Sequence, residues 1–406
     1  MHFAKKQVFY RGLIMKKIFS VILSVCILIG IMVPAFATGK ATKLRFDENG
    51  EFKILHLSDC QDGYPAKEKM INYIDYMLKT YQPDLVVLGG DNTVSTQETK
   101  EAAIEELTSL FVENETYFTL VFGNHDHEQG VDNETNLKYY QKYGGEYCLA
   151  YDVDPEMSGT ANHNLPIYAS QGDTVKFNLW MLDTGAYVYD EDGNRLGYDS
   201  VRPDQIEWYK ETSEALEAQG GKKVPSMVFQ HMIVQEIWDE MFFKVPFYVD
   251  TLTEKYGDTI YFFGPDTSVL NGFLFEPPSP GYYNHGEFDA MVERGDVLAI
   301  LVGHDHYNTY DVEREGIRLI NTPGASFNAY GTEFTRGSRL ITLHEDDSEN
   351  FDTEVITVND AAIQDKAFAE SVGTTPFEAA LWKGLGYILL ALSEFSGIFA
   401  SLVFWD

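Results

Sequence analysis

The chain has 406 residues, of which 30 are basic and 63 acidic, for a net charge of −33. That balance excludes nucleic acid as a structural partner, because a phosphate backbone demands a basic footprint. The 44% hydrophobic and 14% aromatic content excludes a disordered chain and is enough for one large domain or two ordinary ones.

The first element in chain order reads as an export signal. Lys16-Lys17 precede an apolar run from Ile18 to Pro34, and Ala35-Phe36-Ala37 forms an A-x-A cleavage site, so residues 1–37 are expected to be removed. Met15 is a natural start for such a signal, and a retained membrane anchor is the alternative. Removal takes away five basic and no acidic residues, leaving a still more acidic chain facing the outside of the cell or its envelope. Cys60 and Cys148 then remain, too few for a disulfide scaffold.

From residue 42 the chain alternates strand-like and helix-like segments. Phe52 to Leu57 reads as a strand. Lys67 to Tyr81 carries Met70, Ile71, Ile74, Met77, Leu78 and Tyr81 at the spacing of a helix with one buried face. Leu85 to Leu88 is a fully apolar strand, Thr96 to Phe111 a helix, and Tyr117 to Phe122 a strand. Further on, Val175 to Leu182, Met227 to Gln230, Val297 to Val302, Ile317 to Ile320 and Leu340 to Leu343 read as strands, and Pro203 to Gln219 as a helix opened by proline. Alternation with apolar strands implies a sheet covered on both faces by helices. Residues 145–173 and 240–290, rich in Gly, Pro, Tyr and Asn, read as long loops of functional interest. The stretch 361–406 is an apolar or amphipathic tail. Residues 377–405 approach a membrane span in length, but Glu394 sits in their middle, so an amphipathic or hairpin helix on a membrane surface or partner is expected, with a terminal helix packed on the domain and a true span as the alternatives.

Five strands end in metal-ligand residue types. The first runs into Asp59-Cys60-Gln61, the second into Gly90-Asp91-Asn92, the third into Gly123-Asn124-His125-Asp126-His127. The strand at Met227 ends in Gln230-His231, and that at Val297 in Gly303-His304-Asp305-His306. Carboxyl ends of strands form the ligand crevice of open α/β sheets. In His304-x-His306 the two imidazoles lie on one side of an extended chain. Oxygen ligands mixed with imidazole suit Zn, Mn or Fe better than Ca or Mg. Singly, a Gly-Asp at a strand end is a turn and an H-x-H is structural; all five in this order are not coincidence. Cys60 points away and belongs to the core.

In these motifs the chain resembles the calcineurin-like metallophosphoesterases, whose signature runs D-x-H, GD, GNH(D/E), a lone H and GHxH. The resemblance spans roughly residues 45–345 and is greatest to the branch related to purple acid phosphatases, to which His163-Asn164-Leu165-Pro166-Ile167, Leu182-Asp183-Thr184-Gly185 and Arg336-Gly337-Ser338-Arg339 are also similar. It implies an α/β fold, a four-layer sandwich of two mixed β-sheets flanked by helices, over residues 42–360. It implies two metal ions (Mn, Fe, Zn or Ni) bridged by Asp91. Asp59 and His306 would hold one ion, and Asn124, His231 and His304 the other. His125 would be the general acid, oriented by Asp126, with a metal-bridging hydroxide as nucleophile. The implied function is hydrolysis of phosphate esters outside the cytoplasm, monoester or diester, nucleotides included. A non-catalytic metal module of the envelope is the competing reading.

The chain departs from the signature at Gln61, where histidine is usual. Val94 stands where purple acid phosphatases place a metal-binding tyrosine. Gln61 is expected to ligate through its amide oxygen, or else to hydrogen-bond a bound water. Asn92 and His163 are candidate substrate contacts, with turn formation and simple exposure as their alternatives. His127 and Asp305 read as rim or supporting residues.

Overall fold

The strand Glu51–Leu57 alternates strictly: Phe52 and Ile54 enter one core, Leu55 and Leu57 another. Leu85–Gly89 does the same, with Leu85 and Val87 on one side and Val86 and Leu88 on the other. A strand buried on both faces needs a layer on each, which is the architecture found. The computed structural model describes residues 43–244, 250–253, 259–266 and 268–404, so the expected export signal lies outside the described residues.

One five-stranded sheet has the order Phe351–Thr357, Gly337–His344, Glu51–Leu57, Leu85–Gly89, Tyr117–Val121. A seven-stranded sheet has the order Leu44–Arg45, His163–Tyr168, Val175–Met181, Ser226–Phe229, Val297–Val302, Ile317–Asn321, Asp311–Arg314. Both are mixed. In the first, Glu51–Leu57, Leu85–Gly89 and Tyr117–Val121 run parallel, with Ile54 opposite Leu85 and Leu85 opposite Tyr117. In the second, Val175–Met181, Ser226–Phe229, Val297–Val302 and Ile317–Asn321 run parallel. The sheets share a core of Ile54, Val87, Val121, Phe177, Leu179, Met227, Phe229 and Leu301. Helices Glu68–Tyr81 and Lys100–Glu113 cover the first sheet, and Pro203–Gly220 and Glu287–Arg294 the second. This is the expected four-layer α/β sandwich.

The two expected long loops are more structured than their composition suggests. Residues 145–173 contain the strand His163–Tyr168. Pro166 is tolerated there because the strand on its outer side, Leu44–Arg45, covers only Ile167 and Tyr168. Residues 240–290 contain a three-stranded sheet, Phe242–Lys244, Thr259–Pro265 and Asp250–Thr253. A hairpin of Tyr187–Tyr189 and Arg195–Tyr198 is added beside the main sheets.

The tail forms one helix, Pro376–Phe404, that runs through Glu394 without a hairpin turn. Its Lys383 pairs with Asp360, Trp382 lies near Phe334 and Tyr387 near Phe273. Phe377, Leu381, Ile388 and Leu392 remain exposed along another side. No helix among the described residues is long and apolar enough to cross a membrane.

Tyr73 fastens the first helix layer to its sheet. Its buried hydroxyl donates to the Ile356 carbonyl and meets Ser338 Oγ at 2.8 Å. Tyr73→Phe removes a buried hydroxyl that joins helix to sheet, so a loss of about 1–2 kcal/mol is expected in denaturant unfolding, with metal content unchanged. A variant as stable as the parent would remove this bond from the account of the fold.

Candidate metal centre

Each motif begins where a strand stops, and the chain stops it with unusual backbone. Asp59, Asp91 and His304 have φ of 51°, 50° and 68°, in the left-handed region that non-glycine residues avoid. Such conformations cost on the order of 1–3 kcal/mol each and persist where the surroundings over-determine them. Gly90, at φ 92°, and Gly123 serve a second need. A Cβ on Gly90 would run into the His231 ring, and one on Gly123 into the Asp91 carboxylate. Close approach of the loops therefore excludes any side chain at these positions.

The two carboxylates divide their oxygens between scaffold and centre. Asp91 Oδ1 accepts from the His125 backbone N–H at 2.7 Å, while Oδ2 lies 3.3 Å from His231 Nε2. Asp59 Oδ2 accepts from the His304 N–H at 2.9 Å and from Ser58 Oγ at 2.7 Å; Oδ1 lies 3.1 Å from His306 Nε2. Both histidines are turned by their other nitrogen. His231 Nδ1 meets the Gly89 carbonyl at 2.9 Å, and His306 Nδ1 the Tyr330 carbonyl at 2.9 Å. Carbonyls can only accept, so Nδ1 carries the hydrogen and Nε2 presents a lone pair to the centre.

That arrangement fits metal. Asn124 Oδ1 is buried with no hydrogen-bond partner, and Asp59 Oδ1 and His231 Nε2, equally buried, face only other side chains of the cluster. Ligand atoms of Asp91, His231 and His304 all fall within 4.8 Å of one another. Two ligands about 2.1 Å from one ion at right angles stand about 3 Å apart, close to the Asp–His separations observed. Asn124 is presented correctly too, because its Nδ2 donates to the Tyr187 hydroxyl at 2.9 Å and so leaves Oδ1 for the centre.

Without metal the centre holds protons in place of cations. Burial alone would depress the His231 imidazolium, but the charges of Asp91 and Asp59 outweigh it and raise its pKa to about 10. His306 is raised in the same way, burial being outweighed by Asp59. His304, buried beside His231, is pushed down to about 3 and stays neutral.

Asp59, Asp91, His231, His304 and His306 thus converge as the motifs suggest, with Asn124 turned toward them. Gln61 also reaches the cluster, but its amide nitrogen donates to Asp91 Oδ2 at 2.7 Å, so here it does not present the expected oxygen. Asp126 corrects a second expectation. Its carboxylate accepts from the backbone of Gly123, Asn92 and Thr93, at 2.9, 2.9 and 3.3 Å, and so braces two loops. The ring of His125 is held instead by Glu128, with Nδ1 to Oε1 at 2.9 Å. Asn92 is buried and donates to the Val121 carbonyl, a bracing role rather than a substrate contact. His163 is wholly buried in its strand between Thr119 Oγ1 and the Ala161 carbonyl, too deep to touch substrate. Cys60 is core, His127 is exposed, and Asp305 accepts from the Ser279 N–H away from the ligands. Sequence reasoning missed Glu128, Tyr187 and Tyr330. Glu128, three residues past His125, had a local signal; the tyrosines had none.

Comparison with known proteins identifies the family. Residues 52–308 match the calcineurin-like phosphoesterase family. The chain is 30% identical over 331 residues to a protein of Arabidopsis thaliana named probable inactive purple acid phosphatase 14, covering 74% of this chain and 76% of that one. It is 26% identical to probable inactive purple acid phosphatase 29 of the same plant, covering 80% and 85%. Among solved structures it is similar to a dimetal phosphatase from Danio rerio at 10% identity and TM-score 0.45, covering 75% of this chain and 98% of that one.

Metal must displace the proton held on His231, so apparent affinity for Mn²⁺ or Zn²⁺ is expected to rise with pH between 6 and 8, by about tenfold per unit for each proton released. Calorimetric titration of the metal-stripped protein measures this, and a pH-independent affinity contradicts it. In the same titration, Gln61→His is expected to tighten the weaker ion by about tenfold or more, because imidazole is the better donor.

Proposed function

This chain belongs to the calcineurin-like phosphoesterase family, and we propose that it is a working hydrolase of phosphate esters that requires two metal ions. The observation that carries the reading is His125. Its backbone is fixed to Asp91, its Nδ1 is held by Glu128, and its side chain remains 37% exposed beside the buried ligands. A histidine kept only for structure has no need of that exposure or of a carboxylate partner. A cleft lined by Val94, Ser95, Thr96, His125, Glu128 and Gln129 opens at this point.

Asp59 and His306 would hold one ion, Asn124, His231 and His304 the other, with Asp91 between them. Bound ions would supply charge neutralisation at the phosphoryl group and acidify the attacking water. The protein's own residues do the rest. Glu128 fixes the His125 ring through Nδ1, and Nε2 gives the proton to the departing alkoxide. Asp126 and the backbone it braces keep the Asp91 and Asn124 loops at a fixed distance. The names of the Arabidopsis relatives include the word inactive, so retention of His125 with its Glu128 partner is what favours activity here.

Release of p-nitrophenol from p-nitrophenyl phosphate and bis-p-nitrophenyl phosphate tests this, after metal stripping and readdition of Mn, Zn, Fe or Ni. Restored activity that falls about 100- to 10,000-fold in His125→Ala is expected, and the preferred ester separates monoesterase from diesterase. Two bound ions with no turnover of either ester would favour the non-catalytic metal module.

We also place the reaction outside the cytoplasm, on the strength of Lys16-Lys17, the apolar run and Ala35-Phe36-Ala37. The mass of the exported protein should correspond to a chain beginning at Thr38. Recovery of the uncleaved chain in the cytoplasm would overturn that placement.

A further inference from the structure

The hairpin of Tyr187–Tyr189 and Arg195–Tyr198 touches the centre at two ligands. The Tyr187 hydroxyl accepts from Asn124 Nδ2 at 2.9 Å, and the Tyr198 ring stands edge-on to His304 with centroids 4.3 Å apart. Arg195 rides on the same two rings. Its guanidinium carbon lies 3.8 Å from the Tyr187 ring centre and 4.8 Å from that of Tyr198. Stacking of this kind holds a guanidinium in place without using its hydrogen-bond donors.

Three further facts make the position informative. Arg195 is exposed and, among the described residues, is in no ion pair, in a chain where acidic residues outnumber basic ones 63 to 30. Such a chain offers an idle arginine many partners, yet this one is parked on aromatic faces beside two metal ligands. Its platform also stands next to the turn that carries His125, because Tyr187 is hydrogen-bonded to Asn124, the residue immediately before it. Finally, the guanidinium is one tyrosine ring removed from Asn124. A phosphate ester seated on the ligands with its leaving group toward His125 would extend along this hairpin.

We propose that Arg195 is a specificity residue that binds a second anionic group carried by the leaving portion of the substrate. The favoured substrates are then phosphate esters with another phosphate or carboxylate beyond the scissile bond, not simple neutral alkyl or aryl phosphates. The inference rests on the hydrolytic reading above. Arg195 takes no part in proton or phosphoryl transfer. It contributes charge and a planar fork for an oxyanion.

The test compares fructose 1,6-bisphosphate with p-nitrophenyl phosphate on the metal-loaded protein, for the parent, Arg195→Gln and Arg195→Lys. The ratio of kcat/KM for the bisphosphate to that for the nitrophenyl ester is expected to fall about 10- to 30-fold in Arg195→Gln, through KM. Arg195→Lys should recover part of it, since charge is kept and the fork is lost. The parent's KM for the bisphosphate should also rise with added salt more steeply than the variant's. Equal losses on both esters, the result of a merely structural role in pinning the hairpin, would overturn the inference, as would no change. If the parent turns over neither ester, the hydrolytic reading fails. Calorimetric binding of fructose 1,6-bisphosphate to parent and Arg195→Gln then decides this inference: affinity about tenfold weaker in the variant upholds it, and equal affinity overturns it.

Discussion

The structure turns on two buried carboxylates that each use one oxygen to tie down a neighbouring loop and leave the other for a cation. Asp91, at the end of Leu85–Gly89, holds the backbone of His125 at the end of the adjacent strand. Asp59, at the end of Glu51–Leu57, holds the backbone of His304 in the facing sheet. The same bonds that close the top of the sandwich therefore aim the remaining oxygens at His231 and His306. Carboxylates shielded from water in this way are costly unless positive charge is beside them. Protonated histidines meet that need in the free protein, and metal ions meet it better because one ion serves several ligands at once.

The left-handed backbone at Asp59, Asp91 and His304 belongs to the same logic. A β-strand that continued straight would carry these side chains past the edge of the sandwich. Reversing at the second residue beyond the strand keeps each ligand over the sheet ends, and the amide clamps hold the reversal. The glycines answer to the same crowding. At Gly123 it is the nearness of Asp91 and His231 that forbids a side chain, more than any demand of its own backbone.

This division explains what could be read from the sequence. Ligands that directly follow apolar strands were legible, because strand period and position are local properties and parallel strands bring their ends together. The same alternation implied a sheet covered by helices, while the second sheet and the four-layer sandwich were implied by the family resemblance. What was not legible depends on distant chain. Tyr187 reaches Asn124 from 63 positions away, on a hairpin whose short strands lack apolar alternation. Asp126 and Glu128 are both acidic neighbours of His125, and only the direction of the turn decides which faces its ring. His163 looked like a loop residue because Pro166 disguised its strand.

The tyrosine question resolves in an unexpected direction. Val94 stands where the related phosphatases carry a metal-binding tyrosine, and it lines the cleft beside His125 instead. A tyrosine is nevertheless at the centre, one step further out. Tyr187 accepts from the Asn124 amide, which fixes the amide's orientation and frees its oxygen, so the phenol would act on a bound metal through another ligand. A phenol used in this way stays protonated, since a hydroxyl beside Glu128 and removed from water resists ionisation; burial raises its pKa. Its ring face is where Arg195 sits. The aromatic platform gives the rim of an acidic protein a fixed positive charge.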